Sequence, residues 1–86
     1  MDLSAPRVVL YSRPGCHLCA EARELVAAEC ARAGVTWTEV DVTGDPALER
    51  EHGDYVPVLL VDGVRRGIFR VDPDRLRRAL AATPPV

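Results

Sequence analysis

The chain has 86 residues, enough for one small domain (1–86) whose core consists of aliphatic side chains and alanine, since 48% of its residues are hydrophobic and only 5% aromatic. Three cysteines are too few for a disulfide-stabilised secreted domain, and Met1–Pro6 has neither the basic start nor the apolar segment of a signal peptide. No apolar run has membrane-spanning length, so we expect a cytoplasmic protein without membrane contact.

The net charge of −2 is unevenly distributed along the chain. Residues 1–61 carry five arginines against ten acidic residues, whereas residues 62–86 carry six arginines against three acidic residues. The arginine-rich part is either a basic patch for an acidic partner or an ordinary solvated surface. We favour the solvated surface and expect no nucleic-acid partner, because no aromatic residues alternate with these arginines as in a base-stacking platform.

The first half of the chain predicts a strand, a long helix and a second strand. Arg7–Tyr11 is a β-rich apolar run followed by the loop Ser12–Gly15. Cys16–Ala33 is rich in helix-forming residues, and Gly34 is a typical helix stop. Thr36–Val42 is β-prone and partly alternating. The residues spaced to form the buried helix face are Ala22, Leu25, Val26, Glu29, Cys30 and Ala33.

A short helix is predicted next. After the turn Thr43-Gly44-Asp45, Asp45 is placed to cap the helix and Pro46 occupies its first position, with the helix running to about His52. Gly53-Asp54 should end it.

The second half predicts a hairpin and a final helix. Val58–Val61 is apolar throughout, which indicates a strand covered on both faces. Asp62-Gly63 is a strong hairpin signal that leads to a fourth strand near Val64–Phe69. Asp72-Pro73-Asp74 should cap the last helix, and Thr83-Pro84-Pro85 should end it.

These elements follow the order β-α-β-(α)-β-β-α, which predicts an α/β fold. The first two strands should be parallel because a helix connects them, and the last two should be antiparallel because of their short turn. We expect a four-stranded mixed sheet with helices on both faces.

Cys16 and Cys19 form a Cys-x-x-Cys motif at the predicted junction of the first strand and first helix. Unpaired N–H groups and the helix dipole at this position favour a thiolate over a thiol. Residues three apart in a first helical turn are about 5–6 Å apart, within disulfide range. The chain therefore has the parts of a reversible dithiol/disulfide switch.

With this order of elements and this motif, the chain resembles the thioredoxin fold and, within it, the glutaredoxin family. The resemblance extends along nearly the whole chain. Its landmarks are Tyr11-Ser12-Arg13-Pro14-Gly15-Cys16-His17-Leu18-Cys19, Ala22 with Leu25-Val26, Glu39-Val40-Asp41-Val42, Tyr55-Val56-Pro57 and Asp62-Gly63.

The expected activity is thiol–disulfide exchange. Cys16, at the helix tip, should be the nucleophile with a lowered pKa, and Cys19, one turn further in, should be the resolving thiol. Arg13 either adds positive charge, as a basic residue does at the similar position in glutaredoxins, or is a surface arginine. His17 either donates to a thiolate or, as we prefer, shapes access at the tip.

The resemblance also implies a cis Val56-Pro57 bond beside the cysteines, which leaves the backbone of Val56 free to pair with an extended substrate. That substrate is glutathione or the cysteine segment of a protein. We therefore expect a disulfide-bearing protein or small thiol as partner, a reductase as electron source, a monomer, and no tightly bound cofactor. Glutathione is left open as a co-substrate.

The chain departs from the family after the hairpin. Glutaredoxins typically have Gly-Gly and acidic residues there, which hold the ends of glutathione. This chain keeps Gly67 but has Ile68 and Phe69 next, with the acidic residues displaced to Asp72 and Asp74. A β-branched side chain does not allow the close backbone approach that glycine allows. His17-Leu18 likewise replaces the Pro-Tyr common in the family.

Other functions remain alternatives. A closed zinc site needs four ligands, and beside Cys16 and Cys19 the chain offers only Cys30 and His52, so we expect no metal site. A glutathione-assisted iron–sulfur cluster shared by two chains and a non-catalytic partner module of the same fold stay open. Cys30 is predicted to be a buried, inert side chain, with a regulatory or dimer-forming thiol as the alternative.

Overall fold

A computed structural model describes residues 6–82, and it has the predicted order of elements. Boundaries agree with the predictions to within one or two residues. The expectations for residues 1–5 and for Thr83-Pro84-Pro85 lie outside the described residues. The elements are β1 (Val8–Ser12), α1 (His17–Ala33), β2 (Trp37–Asp41), α2 (Pro46–His52), a 3-10 turn (Gly53–Tyr55), β3 (Val58–Val61), β4 (Val64–Ile68) and α3 (Pro73–Ala81).

The strands form one mixed sheet in the order β2-β1-β3-β4. β1 and β2 are parallel, whereas β3 is antiparallel to both β1 and β4. The predicted α/β, thioredoxin-like architecture is confirmed. The pairing of β3 with β4 contains a β-bulge, because Leu59 pairs with Gly67 but Leu60 pairs with Arg65, which leaves Arg66 as an extra residue.

Helices cover both faces of the sheet, as predicted. α1 and α3 contact each other on one face, where they enclose the main core. Tyr11 lies between the core residues of β1 in the sequence, so its side chain points to the other face of the sheet. It stacks there on His52, the last residue of α2, with ring centroids 4.2 Å apart, which places α2 on that face. The core residues on the first face are Val8, Leu10, Ala22, Val26, Cys30, Leu59, Val61, Leu76, Ala79 and Leu80.

The predicted helix ends and the hairpin turn are confirmed in detail. The side chain of Asp45 accepts hydrogen bonds from the amides of Ala47 and Leu48, and Asp72 caps α3 in the same way. Gly34 ends α1 with φ of 69°, a left-handed conformation natural for glycine. Asp62 and Gly63 both have positive φ, the signature of the tight hairpin turn expected for this dipeptide.

Two local expectations differ from the structure. Ala33 is exposed, because it lies at an open cavity beside Arg77 and Ala81 instead of under another element. Leu60 of β3 is only half-buried, whereas its three neighbours in the strand are buried. The predicted end of α2 is confirmed, since α2 ends at His52 and a 3-10 turn begins at Gly53. In the described part of the chain, no helix combines the length and hydropathy needed to span a bilayer.

Candidate functional site

Three chain segments meet at one edge of the sheet. Because Tyr11 pairs with Val58, and Val58 pairs with Ile68, the next residues of this row are Ser12, Pro57 and Phe69. The loop to the cysteine motif therefore starts beside the Val56-Pro57 segment and beside the residue that follows β4.

Cys16 and Cys19 occupy the start of α1 and are joined as a disulfide, with Cα atoms 5.1 Å apart. Cys16 is the N-cap residue, and its Sγ accepts a hydrogen bond from the Cys19 amide at 3.1 Å. Cys16 is half-buried, whereas Cys19 is fully buried. An incoming group thus reaches the sulfur of Cys16 more easily than that of Cys19.

The Val56-Pro57 peptide bond is cis, as the resemblance implies. Pro57 is buried and Val56 is half-buried. Outside the regular elements, no backbone hydrogen bond between described residues involves Val56. The Pro57 carbonyl oxygen, in contrast, accepts a hydrogen bond from the Phe69 amide. Val56 is therefore the residue of this segment whose backbone is available to an extended ligand.

Arg13 and His17, the two other predicted site residues, both have side chains that lie close to carboxylates. The Arg13 guanidinium donates to the Gly53 carbonyl oxygen at 3.0 Å and pairs with Glu49 at 3.4 Å, which ties the loop before Cys16 to the end of α2. The His17 side chain is 88% exposed and lies 3.7 Å from Glu21. Neither contact is with a cysteine, so both residues border the site.

A cavity of about 330 Å³ lies next to the cysteine motif. Leu18, between the two cysteines, and Phe69 both line it. Phe69 has a φ of 63°, a left-handed conformation that L-residues other than Asn or Asp rarely adopt. The remaining lining residues are Glu21, Ala22, Glu24, Leu25, Arg70 and Val71.

A polar network stabilises the opposite side of the loop. Ser12 donates its hydroxyl to Glu39 at 2.6 Å, and Arg23 makes two hydrogen bonds of 2.6 Å to the same carboxylate. Hydrogen bonding by the Arg23 guanidinium is the main cause that lowers the pKa of Glu39, with a smaller contribution from Ser12. The network fixes the end of β1, from which the loop to Cys16 starts.

Cys30 is fully buried in the core between α1 and the sheet, as predicted. Burial raises the pKa of its thiol. The thiolate form, which is expected at Cys16, is therefore disfavoured at Cys30. Between residues 6 and 82, no group of three or more His, Cys, Asp or Glu side chains is placed to hold a metal ion.

Sequence reasoning overlooked two features near this edge. Phe69 was noted only as part of a departure from the family, although it supplies both an unusual backbone conformation and an exposed ring. From the sequence, His52 is expected only as the end of α2 or as a soft metal ligand, but its side chain is buried against Tyr11. The alternation of β1 places Tyr11 opposite the main core and could have suggested an aromatic partner on α2.

The comparisons with known proteins agree with this geometry. A family model described as "Glutaredoxin-like domain (DUF836)" matches residues 7–81. Uncharacterized proteins of Mycobacterium bovis and Mycobacterium tuberculosis are 37% identical over 84 residues, covering 92% of this chain and 87% of theirs.

Two solved structures are also similar. A crystal structure of a structural-genomics target protein from X. campestris has 40% identity and a TM-score of 0.72, covering 90% of this chain and 99% of its own. A solution structure of a Nitrosomonas europaea protein has 26% identity and a TM-score of 0.75, covering 94% and 99% respectively.

Proposed function

This chain belongs to the glutaredoxin-like family, and we propose that it is a thiol–disulfide oxidoreductase that works through Cys16 and Cys19. One observation carries the proposal: the two cysteines are neighbours at the start of α1, with Cα atoms 5.1 Å apart, Cys16 half-buried and Cys19 buried. The helix N-terminus stabilises a thiolate at this position. This asymmetry is what a nucleophile and a resolving thiol need.

The first step is attack of the Cys16 thiolate on one sulfur of a substrate disulfide. The substrate S–S bond breaks, a Cys16–substrate disulfide forms, and the other substrate sulfur leaves as a thiolate that takes up a proton. The Cys19 amide, which donates to Cys16 Sγ, stabilises the attacking thiolate by hydrogen bonding. No metal or bound cofactor is required.

The second step is attack of Cys19, as a thiolate, on Cys16 Sγ. It breaks the mixed disulfide, releases the second substrate thiol and forms the Cys16–Cys19 disulfide. The protein has then given two electrons to the substrate. Two equivalents of a small thiol such as glutathione, or one dithiol reductase, restore the two thiols.

The substrate should lie across the edge of the sheet formed by Ser12, Pro57 and Phe69. The free backbone of Val56 pairs with an extended segment next to the substrate disulfide, and Leu18 and Phe69 contact its side chains. A monomer is sufficient, because both thiols and the Val56-Pro57 segment come from one chain. We place the reaction in the cytoplasm, where small thiols keep such a dithiol reduced.

The test compares Cys16→Ser, Cys19→Ser and Cys30→Ala in the reduction of a small disulfide and of a protein mixed disulfide. We expect Cys16→Ser to abolish activity. Cys19→Ser should accumulate a mixed disulfide that non-reducing mass spectrometry assigns to Cys16. Cys30→Ala, the matched control that removes a thiol outside the site, should keep the wild-type rate.

The same spectrometric measurement on the unmodified protein gives a second check. In glutathione buffers from reducing to oxidising, the mass should fall reversibly by two hydrogens or rise by one glutathione. Wild-type activity in Cys16→Ser, or thiols that stay reduced across the whole range, would refute the proposal.

A further inference from the structure

Most of the arginines pair with acidic side chains, but one group does not. Among the described residues, six arginines lie within ion-pair distance of a carboxylate. No ion pair within residues 6–82 involves the other five. Four of these five lie on β4 and α3, and only Arg50 lies elsewhere, on α2. The four, which we call the arginine surface, are Arg65, Arg66, Arg75 and Arg78.

The β-bulge in β4 places Arg65 and Arg66 on this surface together. Successive residues of a regular strand face opposite sides of the sheet. Arg66 is the extra residue of the bulge, and a bulge redirects the side chains next to it. Both arginines consequently line cavities that also contain Arg75 of α3.

The arginine surface contains two adjoining cavities without an acidic lining residue. Arg66, Arg75 and Arg78, with Ala79 and Ala82, line a cavity of about 280 Å³. Arg65 and Arg75, with Gly67 and Ile68, line one of about 170 Å³. The Nε of Arg66 is buried and has no hydrogen-bond partner in the described part of the chain. A buried donor without a partner is costly, and an anion bound to the same guanidinium would offset that cost.

Protection of an edge strand does not account for the whole surface. β4 is at the edge of the sheet, and charged side chains there prevent pairing with other chains. This explains Arg65 and Arg66 on the strand. It does not explain Arg75 and Arg78, which lie on the helix and repel the strand arginines unless an anion is present.

We propose that the arginine surface binds an acidic segment of a partner protein. The two cavities share Arg75, so the surface is longer than a single phosphate and fits carboxylates spaced along a polypeptide. A single-stranded nucleic acid would favour an open ring next to the arginines for base stacking. Tyr55, the aromatic residue next to the surface, already has the Arg65 guanidinium over its ring at 5.6 Å.

The arginine surface is continuous with the proposed redox site. Tyr55, under Arg65, directly precedes Val56-Pro57, and its ring lies 6.3 Å from that of Phe69. An acidic segment on the arginine surface would therefore bring a neighbouring disulfide to the edge of the sheet near Cys16. This part of the inference rests on the proposed function, whereas the binding itself does not.

Binding is tested with a fluorescent oligoglutamate peptide, by anisotropy at low and at physiological ionic strength. We expect the paired variant Arg75→Gln/Arg78→Gln to weaken binding about tenfold at low salt and to reduce the salt dependence, because two charge-assisted contacts are lost. Arg50→Gln removes one unpaired arginine on α2 and should change binding less than about twofold. Arg75 and Arg78 are exposed, so the variant should fold normally, as circular dichroism will verify.

Three further probes decide the class of ligand. Binding of oligoglutamine as tight as that of oligoglutamate would overturn the proposal, because charge would not matter. So would tighter binding of pyrophosphate, or of a single-stranded oligothymidylate, which would assign the surface to a small phosphate or a nucleic acid. An equal loss of affinity per removed charge in Arg50→Gln and in the paired variant would also overturn it, since net charge alone would then explain the affinity.

Two peptide disulfides separate this inference from the proposed function. One carries glutamates beside its disulfide and the other carries glutamines. In the wild type we expect the glutamate peptide to be reduced with the higher kcat/KM, and the paired variant should lose that preference while reducing a small uncharged disulfide normally. If no disulfide is reduced, the proposed function fails while the anisotropy result still decides the binding. If reduction is normal but shows no preference, docking near the redox site is refuted.

Discussion

The Phe69 amide donates a hydrogen bond to the Pro57 carbonyl oxygen at 2.9 Å, so the residue after β4 is fixed to the cis-proline segment. The Tyr55 carbonyl oxygen accepts from the same amide at 3.2 Å. Phe69 makes these contacts with a φ of 63°, which costs an L-residue about 1–2 kcal/mol. The residue is 45% exposed, so burial of its side chain offsets only part of that cost. Phe69 is therefore placed by the backbone contacts rather than by packing.

The first prediction separates the backbone conformation of Phe69 from its ring. Phe69→Ala removes the ring and keeps the strained φ, whereas Phe69→Gly removes both. We expect the glycine variant to have a free energy of unfolding higher than the alanine variant by about 1 kcal/mol, because glycine adopts positive φ readily. Urea denaturation of both variants measures the difference. An alanine variant as stable as the glycine variant would show that φ at this position is not strained.

The local elements were predictable because their signals are local. Asp45, Pro46 and the Asp62-Gly63 turn specify caps and a hairpin through their own backbone preferences, and the structure has them where the sequence predicts. Cys16 and Cys19 follow the same logic, since an i, i+3 spacing at a helix start brings two thiols together in any tertiary context.

The contacts around the site were not predictable in this way. The anchoring of Arg13 to Glu49 and Gly53 joins residues 36 or more positions apart, which no local pattern encodes. The position of Arg66 depends on a bulge that is defined by the pairing of β4 with β3. Phe69 violates a local rule for φ, and such violations are set by tertiary contacts and concentrate at functional sites.

The second prediction concerns Arg13, for which the sequence left two roles open. Its guanidinium is paired with Glu49 and bound to the Gly53 carbonyl, so we expect it to position the loop rather than to lower the pKa of Cys16. Arg13→Lys keeps the charge, and Arg13→Gln removes it. Both variants should shift the pH midpoint of Cys16 alkylation in the reduced protein by less than about half a unit.

Stability gives the complementary measurement for Arg13. Both variants lose the hydrogen bond to Gly53, and each should lower the free energy of unfolding by about 0.5–1 kcal/mol, since the side chain is partly exposed. A clear rise of the alkylation midpoint in Arg13→Gln but not in Arg13→Lys would instead assign the positive charge to the thiolate.

The third prediction concerns the reactivity of Cys30. Because this thiol is fully buried and burial raises its pKa, a thiol reagent should modify the half-buried Cys16 first in the reduced native protein and Cys30 only after denaturation. Mass spectrometry after brief alkylation counts the modified thiols. Cys30→Ala should leave the number of thiols modified in the native protein unchanged. Modification of Cys30 in the native state at the rate of Cys16 would revive the regulatory role that the sequence left open.

The fourth prediction is a pH dependence of stability caused by Glu39. Its pKa in the folded protein is lowered from the ordinary value of 4.5, mainly by hydrogen bonding from Arg23. The unfolded chain therefore binds a proton at Glu39 more readily than the folded protein does. The resulting stabilisation is fully present above about pH 4.5 and is lost as the pH falls through the lower, folded-state pKa.

Glu39→Gln measures this contribution, because glutamine resembles the protonated acid. We expect the variant to be less stable than the wild type at neutral pH and the difference to shrink progressively below about pH 4.5. Other titrating groups, including Asp62, are common to both proteins and cancel in the difference. The contrary result is a wild type that stays more stable than Glu39→Gln by the same amount well below about pH 4.5. That result would mean that the charge of Glu39 does not contribute to the stability of the Ser12–Glu39–Arg23 network.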